Sequence, residues 1–226
     1  MALIKETKIM YKFFRFITLI AAVAFSSLCF SQATAPKVSL QTNVGEIIIE
    51  LNPEAAPIST ANFLGYVNER FYDGVIFHRV IKDFMIQAGG HRFDMEPKSA
   101  SKAPIKNESY NGLKNLKYTV AMARTRVPDS ATSQFFINHK DNAFLDGQAG
   151  KNGQPGRPGY AVFGKVVKGM DIVEKIANTQ TKNFDRFGNV PVKPISIIKA
   201  VEIKNSSTKT IEQQSTKTVP VAKPKR

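Results

Sequence analysis

Apolar and polar side chains alternate with a period of two through residues 38–51: Val38, Leu40 and Thr42, then Ile47, Ile49 and Leu51, across a turn from Asn43 to Gly45. That alternation predicts a β-hairpin. Pro57 opens a stretch in which Ala61, Leu64, Tyr66 and Val67 recur at helical spacing, ending near Arg70. A proline is accepted in a first helical turn because its missing N–H would have no partner there. Short β-rich runs follow at residues 75–80, 85–87, 118–122, 134–137 and 160–163, punctuated by Gly, Pro and Asn. Gly169 precedes a second predicted helix over 170–177, and residues 195–203 alternate as a closing strand. Seven or eight short strands with two helices predict a mainly β fold, a barrel capped at its ends.

Charge and composition alter the picture at the two termini. The chain has 226 residues, 42% apolar and 22% charged, and 32 Lys and Arg against 18 Asp and Glu give a net charge of +14. Residues 1–33 carry Lys5, Lys8, Lys12 and Arg15 against Glu6, then an apolar run over 16–30. A basic start and a short apolar stretch read as an export signal. Ser31 and Ala33 place cleavage after Ala33; the alternative after Ala35 would leave Pro36 first, which a signal peptidase tolerates poorly. The apolar run is about 15 residues, short of the roughly 20 that span a bilayer, so a retained anchor is the lesser reading. Leu28 before Cys29 sets aside a lipoprotein signal, which needs a small residue there.

Residues 205–226 are rich in Ser, Thr, Gln and Lys with few large apolar side chains, and read as a disordered basic tail. The two ends carry net charges of +3 and +4, half of the +14. What remains on 34–204 is mildly basic and scattered, so no nucleic-acid groove is indicated. The single cysteine cannot form an intramolecular disulfide, a zinc ribbon or a CxxC motif. The expected organisation is a signal peptide (1–33), one folded domain (34–204) and a tail (205–226), with a periplasmic mature protein.

His78, His91 and His139 have no i, i+4 partner and no clustered thiolate or carboxylate, so no metal site is expected. Ser130, Thr132 and Ser133 near His139 lack a GxSxG elbow. The Gly/Pro loop over 147–159 lacks the upstream Gly and following Ser/Thr of a phosphate loop and reads as a connector.

The segment Phe77-His78-Arg79-Val80-Ile81-Lys82-Asp83-Phe84-Met85-Ile86-Gln87-Ala88-Gly89-Gly90 resembles the signature of the cyclophilins, the peptidyl-prolyl cis-trans isomerases. The resemblance continues, in the family's order, through Ala121-Met122-Ala123-Arg124, Ser133-Gln134-Phe135-Phe136-Ile137-Asn138, residues 142–147 and residues 160–166. The Ala-Arg pair after Met122, Phe144 and Tyr160 are most similar to the exported bacterial branch. The resemblance implies a closed antiparallel eight-stranded β-barrel capped by two α-helices, acting on proline-containing unfolded or partly folded polypeptides without a cofactor. It assigns Arg79, Gln87 and Phe84 to catalysis. Met85, Phe136 and Leu145 would line the proline pocket, with Phe144 at its rim and Tyr160 against the ring; the backbone of Ala123 and Arg124 would hold the peptide.

Phe144 stands where many relatives have Trp, so one donor is missing and weak cyclosporin affinity is expected. Tyr160 stands where many have His; it keeps a flat ring and a polar tip but loses a group that titrates near neutrality. A monomer is expected. Two readings from other classes remain: a proline-peptide binding module or chaperone with incidental turnover, and an anionic-surface binder acting through the tail.

Overall fold

The computed structural model describes residues 34–150 and 156–204, and from Ala35 on these belong to one compact unit. The expected signal segment, Cys29 and the tail lie outside the described residues. The hairpin forms as β1 (Lys37–Thr42) and β2 (Gly45–Leu51), in register from Lys37↔Glu50 to Thr42↔Gly45. Its period-two residues Val38, Leu40, Ile47, Ile49 and Leu51 are all buried. Gly45 sits at φ 144, and a Cβ there would run into the Ile172 side chain.

The chain continues through α1 (Pro57–Asn68), β3 (Arg79–Ile81), β4 (Met85–Ala88), β5 (Thr119–Met122), β6 (Phe135–Asn138), β7 (Val162–Lys168) and α2 (Met170–Ala177). β8 (Thr181–Phe184), β9 (Phe187–Pro191) and β10 (Ile197–Ile203) complete it. Eight strands make one antiparallel sheet in the order β10-β1-β2-β7-β5-β6-β4-β3. The expected closed barrel is instead a curled half-barrel, open between β10 and β3. Among the described residues a short contact spans that gap. Gly74 and Phe77 N–H groups donate to the Ile197 and Ile195 carbonyls, Ile197 N–H donates to the Val75 carbonyl, and Ile76 and Ser196 form an isolated bridge. β3 begins beyond this bridge and turns to β4, while Pro194 on the other side has no N–H with which to extend a ladder.

Both helices feed one core. Phe63 of α1 lies 5.2 Å from each of the Tyr72, Phe135 and Phe163 rings. Val173, Ile176 and Ala177 of α2 join the same cluster. The buried face of α1 differs from the expected one: Ala61 is exposed, and the face comprises Phe63, Tyr66 and Val67 with the polar Ser59, Thr60 and Asn62. The Ser59 and Thr60 hydroxyls are buried without a hydrogen-bond partner among the described residues, whereas Asn62 has a distant one. Asn62 Nδ2 donates to the Thr132 carbonyl at 2.7 Å. Ala56, at the helix N-cap, has no side-chain oxygen to offer, and the Glu108 carboxylate takes the N–H groups of Ile58 and Ser59 at 2.9 and 2.7 Å. The β8–β9 hairpin has no counterpart among the expected elements, because every residue of β8 is exposed and no alternation marks it.

Phe63→Ala is expected to lower the unfolding free energy by about 3–5 kcal/mol, and Glu108→Ala by about 1 kcal/mol, in urea titrations. A Phe63→Ala loss no larger than that of Glu108→Ala would contradict this placement of the core.

Candidate active site

β4 and β6 are covered on both faces, and this divides their side chains between two clusters. Ile86 and Ala88 of β4 and Phe135 and Ile137 of β6 enter the main core. Met85 and Phe136 point the other way and join Ala121, Leu145 and Val162, with Phe84, Ala123 and Tyr160 packed at the edge. Cross-strand register aligns Arg79 with Gln87, Gln87 with Phe136, and Phe136 with Ala121, so one row runs across β3, β4, β6 and β5.

The result is a cleft of about 120 Å³ lined by Arg79, Phe84, Met85, Gln87, Ala123, Arg124, Phe136, Leu145 and Tyr160. That is smaller than the roughly 300–1,000 Å³ of a pocket that swallows a drug-sized ligand, and suits a single side chain. Of the residues expected at the site, only Phe144 is outside this lining. It is 61% exposed at the rim, its ring stacked on Phe84 at 5.7 Å and 24°. Phe136 and Tyr160 meet edge to face at 5.6 Å.

Arg79 is half-buried, 5.9 Å from the Phe84 ring centroid, and its Nη1 donates to Gln87 Oε1 at 3.5 Å. Gln87 Nε2 in turn donates to Gln134 Oε1 at 2.9 Å. Gln87 is therefore held by Gln134 and lies beside Arg79. On β5's continuation the Ala123 N–H is taken by the Gln134 carbonyl at 3.0 Å. The Ala123 carbonyl and the Arg124 N–H and carbonyl have no hydrogen-bond partner among the described residues. They form an open main-chain edge beside the apolar floor.

Polar side chains outside the expected site residues fix the rim. The Phe84 carbonyl accepts from His139 N and from Asn142 Nδ2, both at 2.9 Å. His139 Nδ1 accepts the Asp83 N–H at 2.9 Å, which puts the imidazole proton on Nε2 and lets it donate to Glu174 at 2.9 Å. Lys117, then Tyr118 and His139, donate to Glu174 and hold its carboxyl down to about 2. Asn115, Asn138, Asn142 and Asp146 form a buried network beneath the Ala143–Leu145 turn. Arg157 donates to the Phe144 and Asp146 carbonyls at 3.0 and 3.2 Å. A lone Asn in a loop carries no signal of such partners in sequence.

His78 is not in the cleft. It is 5% exposed, 4.4 Å ring to ring from His91, and the Nδ1 atoms of both are unpartnered among the described residues. Burial foremost, then His91, lowers the His78 pKa from 6.5 to about 3. The candidate hydrolase residues do not assemble: the Ser133 hydroxyl donates to the Gly89 carbonyl and Ser130 to the Val127 carbonyl, while His139 is engaged with Asp83 and Glu174. No group of three or more His, Cys, Asp or Glu side chains is placed to hold a metal among the described residues.

An apolar floor for one ring, a guanidinium beside it and an open main-chain edge define a site for an extended peptide that inserts a single apolar side chain. Comparison with known proteins gives that class its family. The family model described as "Cyclophilin type peptidyl-prolyl cis-trans isomerase/CLD" matches residues 37–202. Peptidyl-prolyl cis-trans isomerase A of Dickeya dadantii is 52% identical over 188 residues, 83% of this chain and 95% of that protein. The Acinetobacter baylyi peptidyl-prolyl cis-trans isomerase is 55% identical, covering 76% and 87% of the two chains. Isomerase B of Escherichia coli is 48% identical, covering 74% and 98%. A crystal structure of a Cryptosporidium parvum cyclophilin type isomerase in the presence of the dipeptide Ala-Pro superposes with a TM-score of 0.59 at 26% identity, covering 75% of this chain and 99% of that one. The chain belongs to the cyclophilin-type peptidyl-prolyl cis-trans isomerases, enzymes whose substrates are proline-containing peptides.

The buried His78 yields a pH dependence of stability. Its native pKa lies below its unfolded value, so the unfolded chain takes up a proton that the native one refuses. The stabilisation is complete above pH 6.5 and shrinks as the pH falls toward 3. At pH 4.5 the loss is about 3 kcal/mol. His78→Phe is expected to flatten that part of the stability profile; a slope unchanged from the parent between pH 6.5 and 4 would contradict it.

Proposed function

We propose that Arg79 drives X–Pro isomerisation by hydrogen bonding to the amide as it twists, in polypeptides that fold outside the cytoplasm. The supporting observation is the row Arg79–Gln87–Phe136, which sets a fixed donor beside an apolar floor. Rotation requires loss of amide resonance, against a barrier of about 18–20 kcal/mol and spontaneous times of tens of seconds or more. No bond breaks, so no nucleophile is needed. As the amide twists, the prolyl nitrogen becomes pyramidal and regains a lone pair, and a donor aimed at it binds the twisted state better than the planar one. The guanidinium offers five N–H donors in a rigid fork.

Arg79 alone is not enough. Millisecond turnover amounts to acceleration of about 10⁴-fold, or about 5.5 kcal/mol, whereas one charge-assisted hydrogen bond supplies roughly 1.5–3 kcal/mol. The remainder comes from Met85, Phe136 and Leu145 gripping the ring while the preceding residue turns, and from the apolar wall of Phe84 and Tyr160 favouring the less polar twisted amide. The open edge at Ala123 and Arg124 holds the peptide main chain by strand addition. That same edge favours a second reading, a peptide-binding chaperone in which turnover is incidental. Export rests on the basic and apolar start of the chain, and weak cyclosporin binding on Phe144.

Arg79→Ala is expected to lower kcat/KM on a short Ala-Pro peptide by about 100-fold with the thermal midpoint little changed. A folded Arg79→Ala protein within threefold of the parent would overturn the mechanism. Retained suppression of aggregation by that inactive variant would favour the chaperone reading. N-terminal sequencing of the exported protein is expected to begin at Thr34; a first residue of Met1 would contradict cleavage.

A further inference from the structure

The Arg124 side chain has no part in the mechanism above, yet among the described residues it and Arg79 are the only charged groups lining the cleft. Its Nε donates to the Gly159 carbonyl at 3.0 Å, Nη1 to Thr125 at 2.9 Å and Nη2 to Pro158 at 2.9 Å. Its guanidinium carbon lies 4.6 Å from the Tyr160 ring centroid. Three of the five N–H donors are therefore taken by neutral carbonyls, which fix the plane of the group without cancelling its charge. Two donors remain. The main chain of this same residue forms the open edge beside the floor, so a peptide docked there carries a neighbouring side chain past a positioned cation.

We propose that Arg124 is a specificity residue that selects X–Pro segments with an acidic side chain flanking the X–Pro pair. The inference rests on the isomerase reading, in which Arg79 is engaged with the amide and leaves Arg124 as the charge available to a flanking residue. Surface-level pairing predicts an effect of about fivefold, weakened by salt.

The test uses six short Ala-Pro peptides with Glu, Ala or Lys placed immediately before or immediately after the Ala-Pro pair, assayed at low salt. The parent is expected to show kcat/KM about fivefold higher for Glu than for Lys on at least one flank. Arg124→Gln is expected to bring that ratio close to one. Lys199→Gln, which removes a charge outside the cleft, and Arg124→Lys, which keeps the charge without the carbonyl bonds, are both expected to preserve it. Equal Glu and Lys rates on both flanks in the parent, or a ratio that survives Arg124→Gln, overturns the proposal. If no peptide is turned over, the isomerase reading fails instead, and the Glu-to-Lys ratio of dissociation constants reads the selector by the same criteria.

Discussion

The two-sided burial of β4 and β6 is the constraint on which the rest of the structure depends. Successive residues of a strand face opposite ways, so Phe135 and Ile137 can enter the core only if Phe136 leaves it. A slip of one residue would exchange the two sets. Phe63, meeting Phe135 at 5.2 Å and 82°, locks the inner face, and that contact fixes where the outer face puts Phe136, Met85 and Gln87. Arg79 follows from the same register, since it pairs with Gln87 across β3 and β4. The row of Arg79, Gln87 and Phe136 is thus a by-product of core packing on the reverse side of the sheet, and held in place for that reason.

The rim of the cleft depends on polar contacts instead. The β3–β4 turn that carries Phe84 is held by His139 and Asn142 at its carbonyl and by His139 Nδ1 at the neighbouring Asp83 N–H. Glu174, on α2, accepts from His139 and so ties that turn to the helix. On the opposite rim, Arg157 and Arg124 tie the Ala143–Leu145 turn and the Pro158–Gly159 carbonyls. Buried polar networks of this kind specify one arrangement when every member is satisfied. They hold Phe84, Leu145 and Tyr160, which come from three separate loops, around one floor.

Much of this was legible before the structure, in proportion to how local the physics is. The β1–β2 hairpin and α2 follow from alternation, a Gly before the helix, and apolar spacing. Nine of the ten expected site residues line the one cleft, because a motif preserves spacing that fold geometry turns into proximity. What failed was non-local. The face of α1 was misjudged because the Asn62 side chain finds its partner in Thr132, 70 residues away, and the Ser59 backbone N–H in Glu108, 49 residues away. Barrel closure was misjudged because alternation sets which side of a strand is buried and says nothing of whether the last strand meets the first. The exposed β8 has no pattern to read, and the network of Asn115, Asn138 and Asn142 is invisible until its members are neighbours.

In the proposed mechanism a proline ring rests on the outer face of β4 and β6 while Arg79 reaches the amide beside it. A structure of this protein with a bound Ala-Pro-containing peptide tests it most directly. The ring is expected against Met85, Phe136 and Leu145, the Arg79 guanidinium within hydrogen-bonding distance of the X–Pro amide, and the peptide main chain on Ala123 and Arg124. A peptide seated elsewhere, or a ring on that floor with Arg79 turned away toward Gln87 alone, would contradict it.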